Sequence, residues 1–219
     1  MTTPPQKAAW RLSISIMAGL WIFAPIPSLA RPVTYAGGWM AMTSNDGYDN
    51  GASLLYSPTA TTAIGPFLNH YRGTDAELAG LQFNWLARRW NNPDSQGNFY
   101  FLSGLGVSND DGHARPGGFA GLEADWEDRR FYVSYENRYT AAGDDVKEEF
   151  QQRGRVGVAP YVAEAGSLHS WLMLQLDHAP EDENNWRLTP LLRVFKGDYL
   201  AEAGISTDGH ALFNLMITY

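Results

Sequence analysis

The sequence predicts an all-β fold, an antiparallel up-and-down transmembrane β-barrel of about 12 strands, with about 10 as the alternative count. From Val33 onward, short runs of alternating apolar and polar residues are separated by clusters of Gly, Asn, Asp and Pro. After residue 30 no apolar run approaches the length of a membrane-spanning helix, so a spanning chain of this kind must be a closed barrel. The chain ends on a strand whose alternate residues are apolar, from Ala211 to Tyr219.

The strands are expected in the order of the alternating runs, in one domain without a linker. The predicted ranges are 33–43, 51–57, 62–72, 77–90, 97–107, 118–127, 130–140, 149–161, 168–178, 186–195, 199–206 and 211–219. Pro66 and Pro190 lie inside two of these runs. Because proline removes a ladder donor, each predicts a bulge or a broken ladder, or else a smaller strand count.

The N-terminus has the pattern of a secretory signal peptide. Lys7 and Arg11 precede an apolar run at 12–23, and small residues end at Ala30. The predicted domains are therefore a signal peptide at 1–30 and a barrel at 31–219.

Composition excludes one class of partner. The net charge is −8, and Lys7 and Arg11 are the only charged residues in the first thirty, so cleavage after Ala30 would leave a net charge of −10. Without a basic stripe, nucleic-acid binding is not expected. The chain has no cysteine, so an exported protein must be held together by its sheet and its packing.

Four hairpins can be given a register that separates an apolar face from a polar one. Across 179–185, Asp177 is predicted to face Arg187. A turn centred at 145–146 places Glu136 opposite Arg155. A turn at 128–129 pairs Glu123 with Ser134, and a turn at Gly209 pairs Ile205 with Phe213.

The polar face is predicted to line the lumen. Its charged residues lie on consecutive strands with opposite signs adjacent, as an enclosed wall requires, because an unpaired buried charge is costly. They are Glu123, Asp125, Glu136, Arg138, Arg153, Arg155, Asp177, Arg187 and Arg193. Aromatic residues near the run ends of the apolar face fit interfacial girdles. These are Trp85, Phe99, Trp126, Phe131, Trp186, Tyr199 and Tyr219.

The C-terminal strand, with its alternating apolar residues and terminal Tyr219, resembles the closing strand of bacterial outer-membrane β-barrels. That resemblance implies a Gram-negative outer-membrane location, contact with membrane lipid and lipopolysaccharide, and recognition of the last strand by the barrel-assembly machinery. Five segments also look like a proteobacterial outer-membrane group without an established activity, a group associated with metal handling. The segments are 31–39, 56–59, 133–139, 158–161 and 177–180.

The predicted function is a narrow, porin-like channel or a binding lumen for small solutes. The arginines of the polar face would favour anions. They are Arg138, Arg153, Arg155, Arg187 and Arg193. The exterior loops are short, so any gate is expected to consist of lumen side chains.

Two alternative functions belong to other classes of protein. A structural or copper-linked barrel without transport is suggested by Met40 with Met42, and by His169 with Met173, which share strand faces. A lipid-modifying enzyme is the other alternative, but no nucleophile elbow occurs, and His169 and Ser170 point to opposite strand faces as chain neighbours. We therefore predict no enzyme, no cofactor and no fixed metal-ligand set.

Overall fold

The computed structural model describes residues 31–72, 76–110, 112–142, 146–164, 166–181 and 185–219. The predicted signal peptide lies outside them. The strands are β1 Trp39–Asn45, β2 Asp49–Thr59, β3 Thr62–Tyr71, β4 Ala76–Asn91, β5 Ser95–Asp110, β6 His113–Asp128, β7 Phe131–Ala142, β8 Val146–Val158, β9 His169–His178, β10 Trp186–Lys196, β11 Tyr199–Ile205 and β12 Ala211–Thr218. Among the described residues, no helix is long and apolar enough to cross a membrane.

The strands form one closed barrel in which each strand pairs with its neighbours in sequence. β1 and β12 close the ring as an antiparallel pair, with Met42 opposite Met216. The predicted count of 12 is therefore confirmed. Closure leaves no free sheet edge, which is the condition for a sheet to span a bilayer.

The two prolines interrupt the ladder on one side only. Pro66 is in register with Leu81 of β4 but is absent from the pairs that join β3 to β2. Pro190 is in register with Leu174 of β9, while the pairs to β11 begin at Leu191. The broken ladder predicted at these positions is present, and neither proline lies at a bulge.

The two faces of the sheet are the reverse of those in a soluble barrel. Large apolar side chains point outward, and Leu105 is 78% exposed. Charged side chains point inward, and Arg193 is 3% exposed. An apolar outer surface around a charged interior is the arrangement of a transmembrane β-barrel.

Aromatic side chains are concentrated at the end of the barrel that holds both termini. Trp39 and Tyr56 have ring centroids 5.1 Å apart, and Trp85 stacks on Phe101 at 5.5 Å. Of the predicted girdle, Trp85, Trp126, Phe131, Trp186, Tyr199 and Tyr219 are exposed, and Phe99 is half-buried. Trp186 lies at the other end, where β10 begins. Amphipathic rings in such positions suit the boundary between lipid and water.

The register is as predicted across 179–185, where Asp177 faces Arg187. In the other three hairpins the predicted register is wrong by two residues. Glu136 faces Arg153 rather than Arg155, and Glu123 faces Glu136 rather than Ser134. Similarly, Ile205 faces Ala211. A slip of two preserves the face on which each side chain lies.

Local turn geometry causes these slips. Asp128 Oδ1 accepts hydrogen bonds from the backbone N–H groups of Arg130 and Phe131, both at 2.6 Å, which closes the β6–β7 turn. In the β7–β8 hairpin the register shifts between Thr140 and Ala142. Such side-chain capping and bulges are not encoded in apolar alternation.

The first strand begins at Trp39, so the prediction of a strand from 33 is wrong. Gly37 adopts a φ of 84°, and the Gly38 N–H donates to Tyr35 O at 3.0 Å. This turn directs the preceding residues away from the strand direction. Val33, ahead of the turn, is only 2% exposed and belongs to the apolar cluster inside the barrel.

Candidate functional site: the charged lumen

The barrel encloses a cavity of about 200 Å³. Its lining extends from Arg31 and Pro32 near one mouth to Tyr48 and Asp49 near the other. All the predicted lumen residues point into the barrel. Those on the cavity wall are Glu123, Glu136, Arg138, Arg153, Arg155, Asp177 and Arg193. The remaining two, Asp125 and Arg187, are buried beside it.

Arg153 is held by two carboxylates. Its Nε donates to Asp177 Oδ1 and its Nη2 donates to Asp46 Oδ2, each at 2.6 Å. The second oxygen of Asp177 accepts a hydrogen bond from Gln175 at 2.7 Å. Both carboxylates are nearly buried. They neutralise the guanidinium charge, and breaking either ion pair would leave a buried charge without its partner, which is costly.

Glu202 performs the same role for two other arginines. Its Oε1 accepts from Arg193 Nε at 2.6 Å and lies 3.4 Å from Arg155 Nη1. Its Oε2 accepts from Asn214 at 2.7 Å. Sequence analysis missed Glu202, although it is the single charged residue of run 199–206. A hairpin register for β10 and β11 would have found it opposite Arg193.

On the wall formed by β6 and β7, the carboxylates have fewer or longer ion pairs than Asp177 and Glu202 have. Glu136 lies 3.5 Å from Arg138 Nη2, whose guanidinium lies over the Phe119 ring at 4.5 Å. Asp125 accepts from Asn98 at 2.7 Å. Within the described part of the chain, no hydrogen bond or ion pair reaches Glu123. This wall therefore presents carboxylates to the cavity.

The turn between β1 and β2 closes over one mouth. Asp46 reaches Arg153 on β8, which is five strands away around the barrel. Tyr48 is buried under Arg187, whose guanidinium lies 3.9 Å from the ring centroid. A short turn can therefore narrow the mouth when it leans inward, and the expectation that any gate consists of lumen side chains stays a prediction.

Residues 31–38 cross the other mouth. Arg31 Nη2 donates to Glu127 on β6 at 2.9 Å, and Asn84 donates to Pro32 O at 2.8 Å. β6 is five strands from β1 in the other direction around the ring. The two segments that flank β1 therefore narrow opposite ends of the lumen.

The turn between β11 and β12 contains Ser206, Asp208 and His210, a group that sequence analysis did not identify. Asp208 accepts from Ser206, from His210 Nδ1 at 3.2 Å and from Arg187 at 2.6 Å. Burial acts to raise the pKa of Asp208, but these hydrogen bonds outweigh it and lower the pKa below its ordinary value. Because the carboxylate separates serine from histidine, the cluster lacks the serine–histidine contact of a catalytic triad.

The methionine and histidine side chains that suggested copper binding pack against other side chains. Met40 and Met42 both face the lumen, where Met42 packs against the apolar cluster that includes Met173. His169 stacks on Phe195 at 4.4 Å. Among the described residues, no three His, Cys, Asp or Glu side chains are grouped as a metal site would require. Copper binding remains a prediction.

No family model and no curated protein matches the chain. Among solved structures, a KdgM porin in complex with disordered oligogalacturonate is 6% identical with a TM-score of 0.49, over 83% of this chain and 98% of that one. The outer membrane protein OprD from Pseudomonas aeruginosa is 9% identical with a TM-score of 0.41, over 83% and 64%. OccAB4 from Acinetobacter baumannii is 11% identical with a TM-score of 0.41, over 82% and 56%.

The chain spans less than two thirds of the last two structures. Similarities this weak support no statement about solute or mechanism. These similarities do not test the resemblance to one proteobacterial outer-membrane group, which stays a prediction. The function must therefore be inferred from the barrel itself.

Proposed function

We propose that the protein is an outer-membrane β-barrel whose narrow lumen binds or passes small solutes. The observation that supports this most directly is the cavity of about 200 Å³ inside a closed barrel with an apolar exterior. A barrel of this size lies between side-chain-filled small barrels and open porins. Charged residues line the cavity, so it is a polar compartment within an apolar membrane.

Both mouths are narrowed, which favours small solutes. Asp46 and Tyr48 lie across one end, and Arg31 and Pro32 lie across the other. Each segment is held across its mouth by hydrogen bonds and ion pairs, which are weaker than covalent links. We infer that solute entry requires displacement of at least one of them.

We do not propose the anion preference that the sequence predicted, because the lumen arginines have carboxylate partners. Arg153 has two carboxylate partners, and Arg155 and Arg193 share Glu202. Arg187 is paired with Asp208. Arginines that are already neutralised contribute little to anion selection.

The closing strand supports the proposed location and assembly route. β12 pairs with β1 to complete the ring, and alternate residues of β12 are exposed on the outer face. They are Phe213, Leu215 and Ile217, followed by Tyr219. We propose that this strand is the element that the assembly machinery recognises, with lipid and lipopolysaccharide around the finished barrel.

Reconstitution in planar lipid bilayers tests the proposal. We expect small, discrete current steps, and a larger unit conductance when Glu127→Gln releases the segment that carries Arg31. Arg129→Gln, in the exposed β6–β7 turn, is the control and should not alter conductance. An insulating bilayer with both the parent protein and Glu127→Gln would refute transport and leave a closed binding or structural barrel.

A further inference from the structure

A row of inward-facing side chains crosses six neighbouring strands, each opposite the next in register. In order from β5 to β10 it consists of Tyr100, Glu123, Glu136, Arg153, Asp177 and Arg187. From Glu136 onward the signs of charge alternate. Between β6 and β7 they do not, because Glu123 faces Glu136. Like charges directly opposite each other destabilise a sheet.

Nearby cations offset this repulsion only in part. Arg153, the next residue in the row, has its hydrogen bonds directed to Asp46 and Asp177. Arg138 approaches Glu136 at 3.5 Å, a long contact. Among the described residues, none donates a hydrogen bond to Glu123. Within the described ranges, the two facing carboxylates therefore have one ion-pairing arginine between them, Arg138, and negative charge in excess of its counter-charge is costly in this interior.

Tyr100 provides a second, independent observation at the same place. It is 0% exposed, and no described residue forms a hydrogen bond with its hydroxyl. It lies opposite Glu123 on β5, and the charges that act on its hydroxyl include those of Asp125 and Glu123. Buried polar groups are normally satisfied. An unpartnered hydroxyl beside Glu123, in a region where negative charge accumulates, indicates that a polar partner is missing from this part of the lumen.

The surroundings indicate which kind of cation would fit. Glu123 and Glu136 line the cavity of about 200 Å³, which is far larger than a bare metal ion. The described residues contain no group of three metal-ligating acids or histidines. Apolar side chains share the cavity wall, among them Leu102, Leu200 and Met42. Mixed polar and apolar walls are typical of sites for small organic molecules.

We propose that the lumen binds a small organic ammonium ion, with its charged nitrogen between Glu123 and Glu136 and its apolar part against Leu102. This inference rests on the proposed function and specifies its solute class. The bound cation would supply a second positive charge beside the two carboxylates, in addition to that of Arg138. It would also place the ligand in the path between the two narrowed mouths.

Two probes of similar size and opposite charge test the sign of charge, n-butylammonium chloride and sodium n-butyrate at equal ionic strength. Binding is measured by calorimetry and by the thermal stability of the purified barrel in detergent, because a ligand that binds the native state raises its stability. We expect n-butylammonium to bind and butyrate to have no effect. Equal or stronger binding of butyrate, or no binding of n-butylammonium, would overturn the inference.

A double variant tests the location. Glu123→Gln with Glu136→Gln removes two negative charges without changing side-chain shape, and should weaken n-butylammonium binding by about tenfold or more. Glu77→Gln with Asp94→Asn removes two charges at exposed positions outside the lumen and should retain binding. Unchanged affinity in the lumen variant would refute the site.

The inference and the proposed transport fail separately. If the protein passes current in bilayers but does not bind n-butylammonium, the proposed channel stands and this solute class is excluded. If the protein binds n-butylammonium but passes no current, the binding site stands and the barrel is closed to transport. The ligand-free single variant Glu123→Gln should be at least as stable as the parent, because it removes the repulsion and leaves the Glu136–Arg138 ion pair intact, and a large loss of its stability would contradict the premise.

Discussion

Asp46 and Arg153 are separated by 107 residues and form an ion pair of 2.6 Å across the mouth of the barrel. The carboxylate belongs to the turn between β1 and β2, and the guanidinium belongs to β8. Asp46 also accepts hydrogen bonds from the backbone of Tyr48 and Asp49, at 2.8 and 3.0 Å. The pair therefore fixes both the shape of the turn and its position over the lumen.

Removal of the arginine should destabilise the barrel strongly. Arg153→Met leaves the carboxylates of Asp46 and Asp177 without their common cation, and breaking a buried pair from one side costs about 3–5 kcal/mol. The free energy of unfolding, measured by urea titration in lipid vesicles, gives the cost. Arg129→Met, in an exposed turn, is the matched control and should differ from the parent by no more than about 0.5 kcal/mol. A stable Arg153→Met barrel would mean that the ion pair does not hold the turn.

Acid should release the turn within a defined pH range. Burial acts to raise the pKa of Asp46, but the charge of Arg153 and the backbone N–H groups of Asp49 and Tyr48 outweigh it, so the pKa lies below its ordinary 3.8. A lowered pKa contributes stability that is fully present above the unfolded value and is lost as the pH falls through the folded value. The contribution of Asp46 should therefore be constant from neutral pH to about 5 and decline below about 4.

Asp46→Asn isolates this contribution, because asparagine imitates the protonated acid. We expect the melting temperature of the variant to lie below that of the parent at neutral pH, and the two to converge as the pH falls below 3.8. Convergence already near pH 6, or a constant difference down to pH 2, would contradict the assignment of the carboxylate charge to this turn.

Sequence alone predicted the strand count and the inward face, because both depend on alternation with a period of two residues. Glu136 and Arg138 were placed on the lumen face even though their register was wrong by two residues. The Glu123–Glu136 pair was not predicted, since its register depends on how Asp128 caps the following turn. The local hydrogen bonds of a turn determine which residue becomes a neighbour, and alternation does not record them.

The segments that narrow the mouths were also beyond prediction from alternation. The run at 33–43 contains enough apolar residues to resemble a strand, but the turn at Gly37 separates its first part from β1. Asp46 lies between the predicted strands at 33–43 and 51–57, and its partner on β8 is distant in sequence. Contacts across the lumen join residues that share no hairpin, so strand-by-strand analysis cannot find them.

An outward-facing leucine should reveal the lipid-facing surface. Leu81 is 60% exposed near the middle of β4, and Leu81→Arg should cost about 2–4 kcal/mol in a bilayer because the charge would lie near the midplane. Leu81→Ala is the control for lost side-chain volume and should cost less. Urea titration in lipid vesicles measures both. An arginine tolerated as well as alanine would indicate that this face contacts water.

The segment that carries Arg31 should protect Val33 from reagents until its ion pair is removed. The chain lacks cysteine, so Val33→Cys introduces a unique thiol at a position that is 2% exposed, and Tyr35→Cys introduces one at a position that is 58% exposed. We expect slow labelling at position 33 and fast labelling at position 35. Adding Glu127→Gln, which removes the negative charge of the acceptor in the 2.9 Å Arg31 bond, should speed labelling at position 33 by about tenfold or more, through easier local opening. Labelling at position 35 should not change, because that side chain is already accessible. Equal rates at the two positions in the parent background would show that the segment lies outside the lumen.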